Sequence, residues 1–189
     1  MKLFFPILVM IALLFSATGC GHRSGATGSG VIATEERTLA DFNFVQLVGS
    51  GIVEIKPGPV STARLTFDDN LLTNISTRIE GPMLIIAPST GVTSGRVLKV
   101  EVTAPTLAGV AIEGSGELST GPFDSRNFLI RITGSGRIAA AGTTDSLEIK
   151  ISGSGTVDAT GMAARMANIT IMGSGHVDLH ATNQVAAKI

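Results

Sequence analysis

The segment Ile112-Glu113-Gly114-Ser115-Gly116-Glu117-Leu118 contains the tripeptide that decides the fold, Gly-Ser-Gly between two apolar segments. The tripeptide recurs at regular steps, as Gly134-Ser135-Gly136, Gly153-Ser154-Gly155 and Gly173-Ser174-Gly175. An earlier copy, Gly49-Ser50-Gly51, stands well upstream of the first of these. A repeat of this fixed length is typical of a solenoid, in which each repeat forms one coil.

Apolar residues alternate with small or polar ones on both sides of each tripeptide. The branched apolar positions of the four regular repeats are Val110, Ile112, Leu118, Ile130, Ile132, Ile138, Ile149, Ile151, Val157, Ile169, Ile171 and Val177. An alternation of period two predicts strands with one buried and one solvated face. By this alternation both glycines of each copy point inward and the serine points outward, so the tripeptide predicts a corner between two strands.

We therefore predict an all-β fold, a single-stranded right-handed parallel β-helix whose coils stack at about 4.8 Å. Each repeat is expected to be a strand, a glycine corner, a strand and a return turn, with the return turns at 121–124, 142–145 and 161–162. The only candidate for a helical turn is 161–167. The predicted structural corner residues are Gly49, Gly51, Gly114, Gly116, Gly134, Gly136, Gly153, Gly155, Gly173 and Gly175.

The regular period is absent between residues 35 and 106, so this half is expected to be irregular, with antiparallel hairpins that cap the coil. Strands are predicted at 44–47, 53–55, 63–67, 75–79, 83–86 and 98–102. Turns are expected at Asp68-Asp69-Asn70 and at Gly81-Pro82, because these residue types favour turns.

The N-terminus has the features of a lipoprotein signal. Lys2 precedes an apolar run from Leu3 to Phe15, which suits a signal peptide and is too short to span a bilayer. Ala17-Thr18-Gly19-Cys20 follows and resembles a bacterial lipobox, in which the cysteine is diacylated after residues 1–19 are removed. The alternative is an ordinary signal peptide with an unmodified cysteine. Because Gly21 rather than Asp follows Cys20, we expect the outer membrane in a two-membrane bacterium.

Residues 20–34 are rich in Gly and Ser and predict a flexible tether between Cys20 and a domain at 35–189. The Gly-Ser-Gly repeats occupy 107–189 of that domain. Residues Val185 to Ile189 have the same form as Leu147 to Ile151, which precede a corner. The chain is therefore expected to stop in mid-coil, and copies are expected to pair through their coil ends.

With these motifs in place, residues 35–189 resemble the bacterial head GIN domain family (DUF2807), also described as auto-transporter adhesin heads. The resemblance rests on Phe42-Asn43-Phe44-Val45, Asp68-Asp69-Asn70-Leu71, Pro105-Thr106-Leu107 and the serial Gly-Ser-Gly copies. It implies a β-helical protein exported to the envelope, commonly as a lipoprotein. It supplies no catalytic residues to transfer.

Other chemistries fit the residues poorly. A net charge of −1 argues against nucleic acid as a partner. Gly-Ser-Gly has neither the lysine of a phosphate loop nor the histidine partner of a nucleophile elbow. His176, Asp178 and His180 share one strand face, but no third ligand lies within reach of a metal, and Asp158 and Asp178 fall outside the calcium-roll spacing. No metal, no cofactor and no catalytic residue is predicted.

The sequence thus predicts a non-catalytic envelope lipoprotein with a binding or adhesin-like domain. Its expected partners are the membrane, through Cys20, and a protein or glycan. The alternatives are a carbohydrate-active enzyme on the same scaffold, with Asp158 and Asp178 as its acids, or a self-assembling envelope scaffold. The chain has no Trp or Tyr, the residues on which sugars commonly stack, which disfavours the enzyme.

Overall fold

The computed structural model describes residues 25–89 and 91–188. The strands in these ranges are β1 (Ile32–Thr38), β2 (Phe44–Gly49), β3 (Ile52–Pro57), β4 (Thr62–Asp68), β5 (Ile75–Glu80), β6 (Met83–Pro88), β7 (Lys99–Ala104), β8 (Gly109–Gly114), β9 (Glu117–Gly134), β10 (Arg137–Gly153), β11 (Thr156–Gly173) and β12 (His176–Lys188). One 3-10 helix, η1, covers Asp69–Asn74. The chain is all-β with a solenoid of about four turns, which confirms the predicted fold class. No helix in the described ranges is long and apolar enough to cross a membrane.

The glycine corners stack directly above one another. Strands β8 to β12 pair in parallel, and Gly114, Gly134, Gly153 and Gly173 are successive partners in that ladder. Gly49 of β2 pairs with Gly114 in the same way. The upstream copy is therefore the first layer of the column, although the chain between it and the second layer also builds β3 to β7.

The predicted inward columns form the core. Ile132, Ile138 and Ile151 are each 0 % exposed, and burial of such a side chain contributes about 1.5–3 kcal/mol. Exposure rises in the last described layer, where Ile171 and Val177 are only partly buried. Among the described strands β12 pairs with β11 alone, so its inward side chains are covered from one side.

The N-terminal half continues the coil and then closes it. Strands β6 and β7 lie parallel to β2 and β3, so they form a layer on the side opposite β8 and β9. Strands β5, β4 and β1 add in antiparallel pairs, as expected for a cap. Each of the six strands predicted in this half is present, and β1 is an additional one.

The return turns differ from the prediction. Strands β9, β10 and β11 run without interruption from one corner to the next, and the chain bends through a register shift between Ala139 and Ala141. The segment 161–167 lies inside β11 and is not helical. A bulge changes the direction of the strand while the neighbouring residues keep their partners in the adjacent coils. The coil therefore needs no separate turn between its strands.

The predicted boundary at residue 35 falls inside β1, and the domain also holds the residues before that strand. Thr93 N–H donates to Ala26 C=O and Gly28 N–H donates to Thr93 C=O, both at 2.9 Å. Gly30 N–H donates to Asp68 Oδ1 at 2.9 Å, and Ser29 N–H donates to Asn70 Oδ1 at 3.0 Å. The second half of the predicted tether is thus bound by the side chains of the Asp68-Asp69-Asn70 motif.

Candidate functional site

The two glycines of a corner have different structural roles. Gly134 has a φ of +119°, and a Cβ there would lie 2.4 Å from the carbonyl oxygen of Gly114. Gly136 is buried, and a Cβ there would lie 2.7 Å from Ile112 Cγ2. The first glycine permits the bend and the close backbone approach, whereas the second leaves room for an isoleucine of the preceding coil.

The outward serines of the four regular corners do not form a catalytic arrangement. Ser115, Ser135, Ser154 and Ser174 are all exposed, as the alternation predicts. Within residues 25–89 and 91–188, none of the four is hydrogen bonded to a histidine. Cys20, the predicted acylation site, lies outside the described residues.

The polar residues of β12 do not assemble a metal centre. His176 Nε2 lies 3.2 Å from Asp178 Oδ1, and both side chains are exposed. In the described part of the chain no three His, Cys, Asp or Glu side chains converge on a metal position.

The candidate acids of the enzyme alternative are neighbours, since Asp158 pairs with Asp178 across β11 and β12. Asp158 accepts hydrogen bonds from Thr160 Oγ1 at 2.6 Å and from Thr160 N–H at 3.0 Å. These bonds lower the pKa of the Asp158 carboxyl. A general acid of a glycosidase needs a raised pKa, so the lowered pKa of Asp158 does not suit that role.

A groove lies on the outer face of β6, β2, β8 and β9, and we call it the outer groove. Its volume is about 400 Å³, and its apolar floor consists of Phe44, Met83, Ala111 and Leu129. Met83, Phe44, Gly109 and Leu129 are successive partners across the four strands. The Phe44 ring lies over Gly109, where a Cβ would come within 2.5 Å of Phe44 Cε2.

Polar side chains line one side of the outer groove. Gln46 Nε2 donates to Glu113 Oε2 at 3.3 Å, so this carboxylate has a partner on the neighbouring strand. Arg131 also lines the groove, and it has no hydrogen-bond or ion-pair partner in the part of the chain that the structure describes. The next outward cation along that row, Lys150, is instead paired with Glu148 at 2.7 Å.

The sequence did not single out the outer groove. Ala111 and Arg131 occupy outward positions of the repeats, and such positions are typical of ordinary surface. Phe44 and Met83 come from strands that are distant in the chain, and only the parallel pairing of β2 with β6 brings them together. The one local signal was Gly109, which stands at the start of an apolar strand and marks a position where another group lies close to the backbone.

Three solved bacterial structures have a similar fold. A putative adhesin from Bacteroides fragilis superposes with a TM-score of 0.71 at 17% identity, covering 86% of each chain. A putative adhesin from Parabacteroides merdae gives a TM-score of 0.62 at 19% identity, covering 87% of each chain. A putative lipid binding protein from Parabacteroides distasonis gives 0.61 at 19% identity, covering 86% of this chain and 96% of that one. At these identities the likeness shows the fold alone.

A search of curated proteins found no match. The family model described as "Putative auto-transporter adhesin, head GIN domain" matches residues 41–189, from just before β2 to the end of the sequence. The match includes the whole column of stacked corners and the four strands of the outer groove, and it confirms the resemblance seen in the motifs. The chain therefore belongs to the head GIN domain family.

Proposed function

We propose that this protein is a lipid-anchored, non-catalytic binding module of the cell envelope and that it contacts its ligand through the outer groove. The family and two of the similar structures are named as adhesins, which supports a surface role without chemistry. The observation that carries the proposal is the unpaired Arg131 beside an apolar floor. A free guanidinium binds carboxylate or phosphate through two parallel hydrogen bonds, and the floor accepts an apolar group next to it.

The scaffold suits binding rather than catalysis. Each outer-groove strand is hydrogen bonded on both sides, so the floor is preformed and little ordering is required when a ligand arrives. The one acid pair on adjacent strands that the sequence offered for catalysis, Asp158 and Asp178, lies on β11 and β12, outside the outer groove. The proposed ligand is an acidic glycan or a protein segment that presents an acidic group beside an apolar one.

An array of acidic and neutral glycans and extracellular matrix proteins tests the proposal. Arg131→Ala and Leu129→Asp should each weaken binding to the captured ligand about tenfold or more, as expected at the centre of an interface. Asn168→Asp is the matched control, because it places the same acid on the same row two coils away. Equal binding by all variants would show that the ligand contacts another face. Cleavage of a polysaccharide that Asp158→Asn abolishes would favour the enzyme instead.

A further inference from the structure

Exposed apolar side chains cluster where the N-terminal segment joins the domain. Val31, Ile32 and Val97 are 58%, 57% and 57% exposed. Ile32 and Val97 line one cavity of about 360 Å³ together with Phe67. We call Val31, Ile32 and Val97 the anchor-proximal patch. Exposed apolar side chains that share a cavity, as Ile32 and Val97 do, are typical of a contact site rather than of free surface.

The segment that leads to Cys20 is fixed beside this patch. Arg96 Nη2 donates to Gly30 C=O at 2.7 Å, and Asp69 N–H donates to Val31 C=O at 2.9 Å. The ladder with Thr93 holds Ala26 and Gly28 in place, so the described chain is bound to the domain from Ala26 onward. Of the residues that the sequence assigned to the tether, those from Ala26 to Thr34 therefore belong to the folded domain.

A tether of this length limits the distance between the domain and the membrane. The five residue steps from Cys20 to Gly25 span at most about 18 Å when fully extended. An acylated Cys20 lies at the bilayer surface, so Gly25 and the residues packed around it remain within that distance of the lipid. The apolar patch lies beside the segment that leads to the anchor, since Val31 and Ile32 directly follow Gly30, which is bonded to Asp68 and Arg96.

We propose that the anchor-proximal patch rests on the lipid surface of the membrane that holds the acyl chains, so that the domain has a fixed orientation on it. This inference rests on the lipid anchor of the proposed function. The three apolar side chains enter the boundary between headgroups and acyl chains, as interfacial segments do. Lys99 lines the same cavity and has no ion-pair partner among the described residues, so its ammonium group is available to a lipid phosphate. The charge of Arg96 is balanced by Asp68, 3.6 Å away, and Asp69 is an exposed acid next to Val31.

The absence of tryptophan from the chain allows a single introduced one to report contact with lipid. Val97→Trp places the reporter in the patch. Val60→Trp is the matched control, because Val60 is 55% exposed and lies near Gly58, which donates to Ala104 at the far end of β7. Val97 precedes the first residue of that strand, so the two positions are about 20 Å apart along it.

The full acylated chain is reconstituted into vesicles of phosphatidylethanolamine and phosphatidylglycerol, with and without brominated acyl chains. We expect the bromines to quench Val97→Trp at least threefold more than Val60→Trp. Ile32→Trp should behave like Val97→Trp, and adding Val97→Asp to it should relieve the quenching. Equal quenching at Val97 and Val60, or none at Val97, overturns the orientation.

A missing lipid anchor and a wrong orientation give different results in this experiment. A purified chain whose Cys20 carries no acyl group, and which does not sediment with vesicles, contradicts the proposed lipoprotein and the orientation together. A chain that is acylated and sediments with vesicles, but leaves Val97→Trp unquenched, contradicts the orientation alone.

Discussion

The carbonyl oxygen of Gly114 accepts a hydrogen bond from the backbone N–H of Ser135 at 2.9 Å, between two adjacent layers of the coil. The same bond recurs from Ser154 to Gly134 and from Ser174 to Gly153, both at 2.9 Å. The contact brings the backbones so close that the first glycine of each next layer has no room for a side chain. The corners are therefore a column of backbone contacts with the serines on its outer surface.

Replacing a corner glycine should be far more costly than replacing the serine beside it. Gly134→Val places Cβ against Gly114 C=O at a φ of +119°, and we expect a loss of about 2–4 kcal/mol in the free energy of unfolding. Ser135→Ala removes an exposed hydroxyl and should cost less than about 0.5 kcal/mol. Urea denaturation of the two variants measures the difference, and similar midpoints would contradict the assigned orientations.

Asp68 should be important for the order of the N-terminal segment. Its carboxylate is 1% exposed, accepts from Gly30 N–H and from Ser94 Oγ, and faces Arg96. Asp68→Ala removes the acceptor of Gly30 N–H and of the Ser94 hydroxyl and the counter-ion of Arg96, so we expect a loss of about 2–4 kcal/mol. Amide exchange should also accelerate from residue 26 to residue 31.

Asp145→Ala is the control for that experiment, because Asp145 forms an ion pair with Arg165 in which both side chains are more than half exposed. Exposed pairs of this kind contribute little, so the change should stay within about 0.5 kcal/mol. Slow exchange at residues 26–31 in Asp68→Ala would show that the hydrogen bonds with Thr93 suffice to hold the segment.

The pKa of Asp158 should depend on Thr160. The hydroxyl and N–H of Thr160 donate to its carboxylate and hold that pKa below the ordinary value of 3.8. Thr160→Val removes the hydroxyl bond and should raise the pKa toward that value, as measured by NMR titration of the carboxyl carbon. Because the pKa is lower in the folded state, the ionised carboxylate stabilises the fold at pH values above the ordinary pKa. This stabilisation is lost as the pH falls through the folded pKa. The pKa of Glu35, which a hydrogen bond from Arg37 lowers, should not move in this variant.

Cys20→Ser tests the anchor directly. Without the thiol no acyl chain can be attached, so the variant should accumulate as unprocessed precursor or as protein in the soluble fraction. Fractionation of cells that express the wild type and the variant, followed by mass spectrometry of the N-terminal peptide, measures both outcomes. Wild-type and variant proteins that distribute identically between membrane and soluble fractions would contradict the lipobox.

The coil could be predicted from the sequence because branched apolar residues fill its inward positions and glycine fills both positions at each corner. Ile112, Ile132 and Ile151 keep the same place relative to each corner, and the spacing alone indicates their burial. Strand β1 escaped this reasoning because its partly buried positions are Ala33, Glu35 and Arg37 rather than a row of apolar residues. The Arg37 guanidinium instead donates to Leu72 C=O at 2.9 Å and to Ile75 C=O at 2.6 Å, where η1 ends.

The outer groove and the anchor-proximal patch were beyond prediction for a different reason. Each combines side chains from segments that become neighbours only through pairing out of chain order, as when β6 joins β2. Ile32 and Val97 stand far apart in the sequence, and neither lies in a repeat. A periodic pattern predicts the interior of a solenoid, whereas its outer surfaces depend on which strand lies beside which.

The join between the first and second stacked corners has a consequence for chain entropy. Between Gly49 and Gly114 the chain builds β3, a further layer from β6 and β7, and the antiparallel strands β4 and β5, and it then returns to the same column. Because the closure cost of a loop grows only with the logarithm of its length, this excursion costs about 1 kcal/mol more than an ordinary coil. One burial of an isoleucine side chain offsets that amount. A coil of this kind can therefore accept a long inserted segment between two of its stacked corners and still continue the same column.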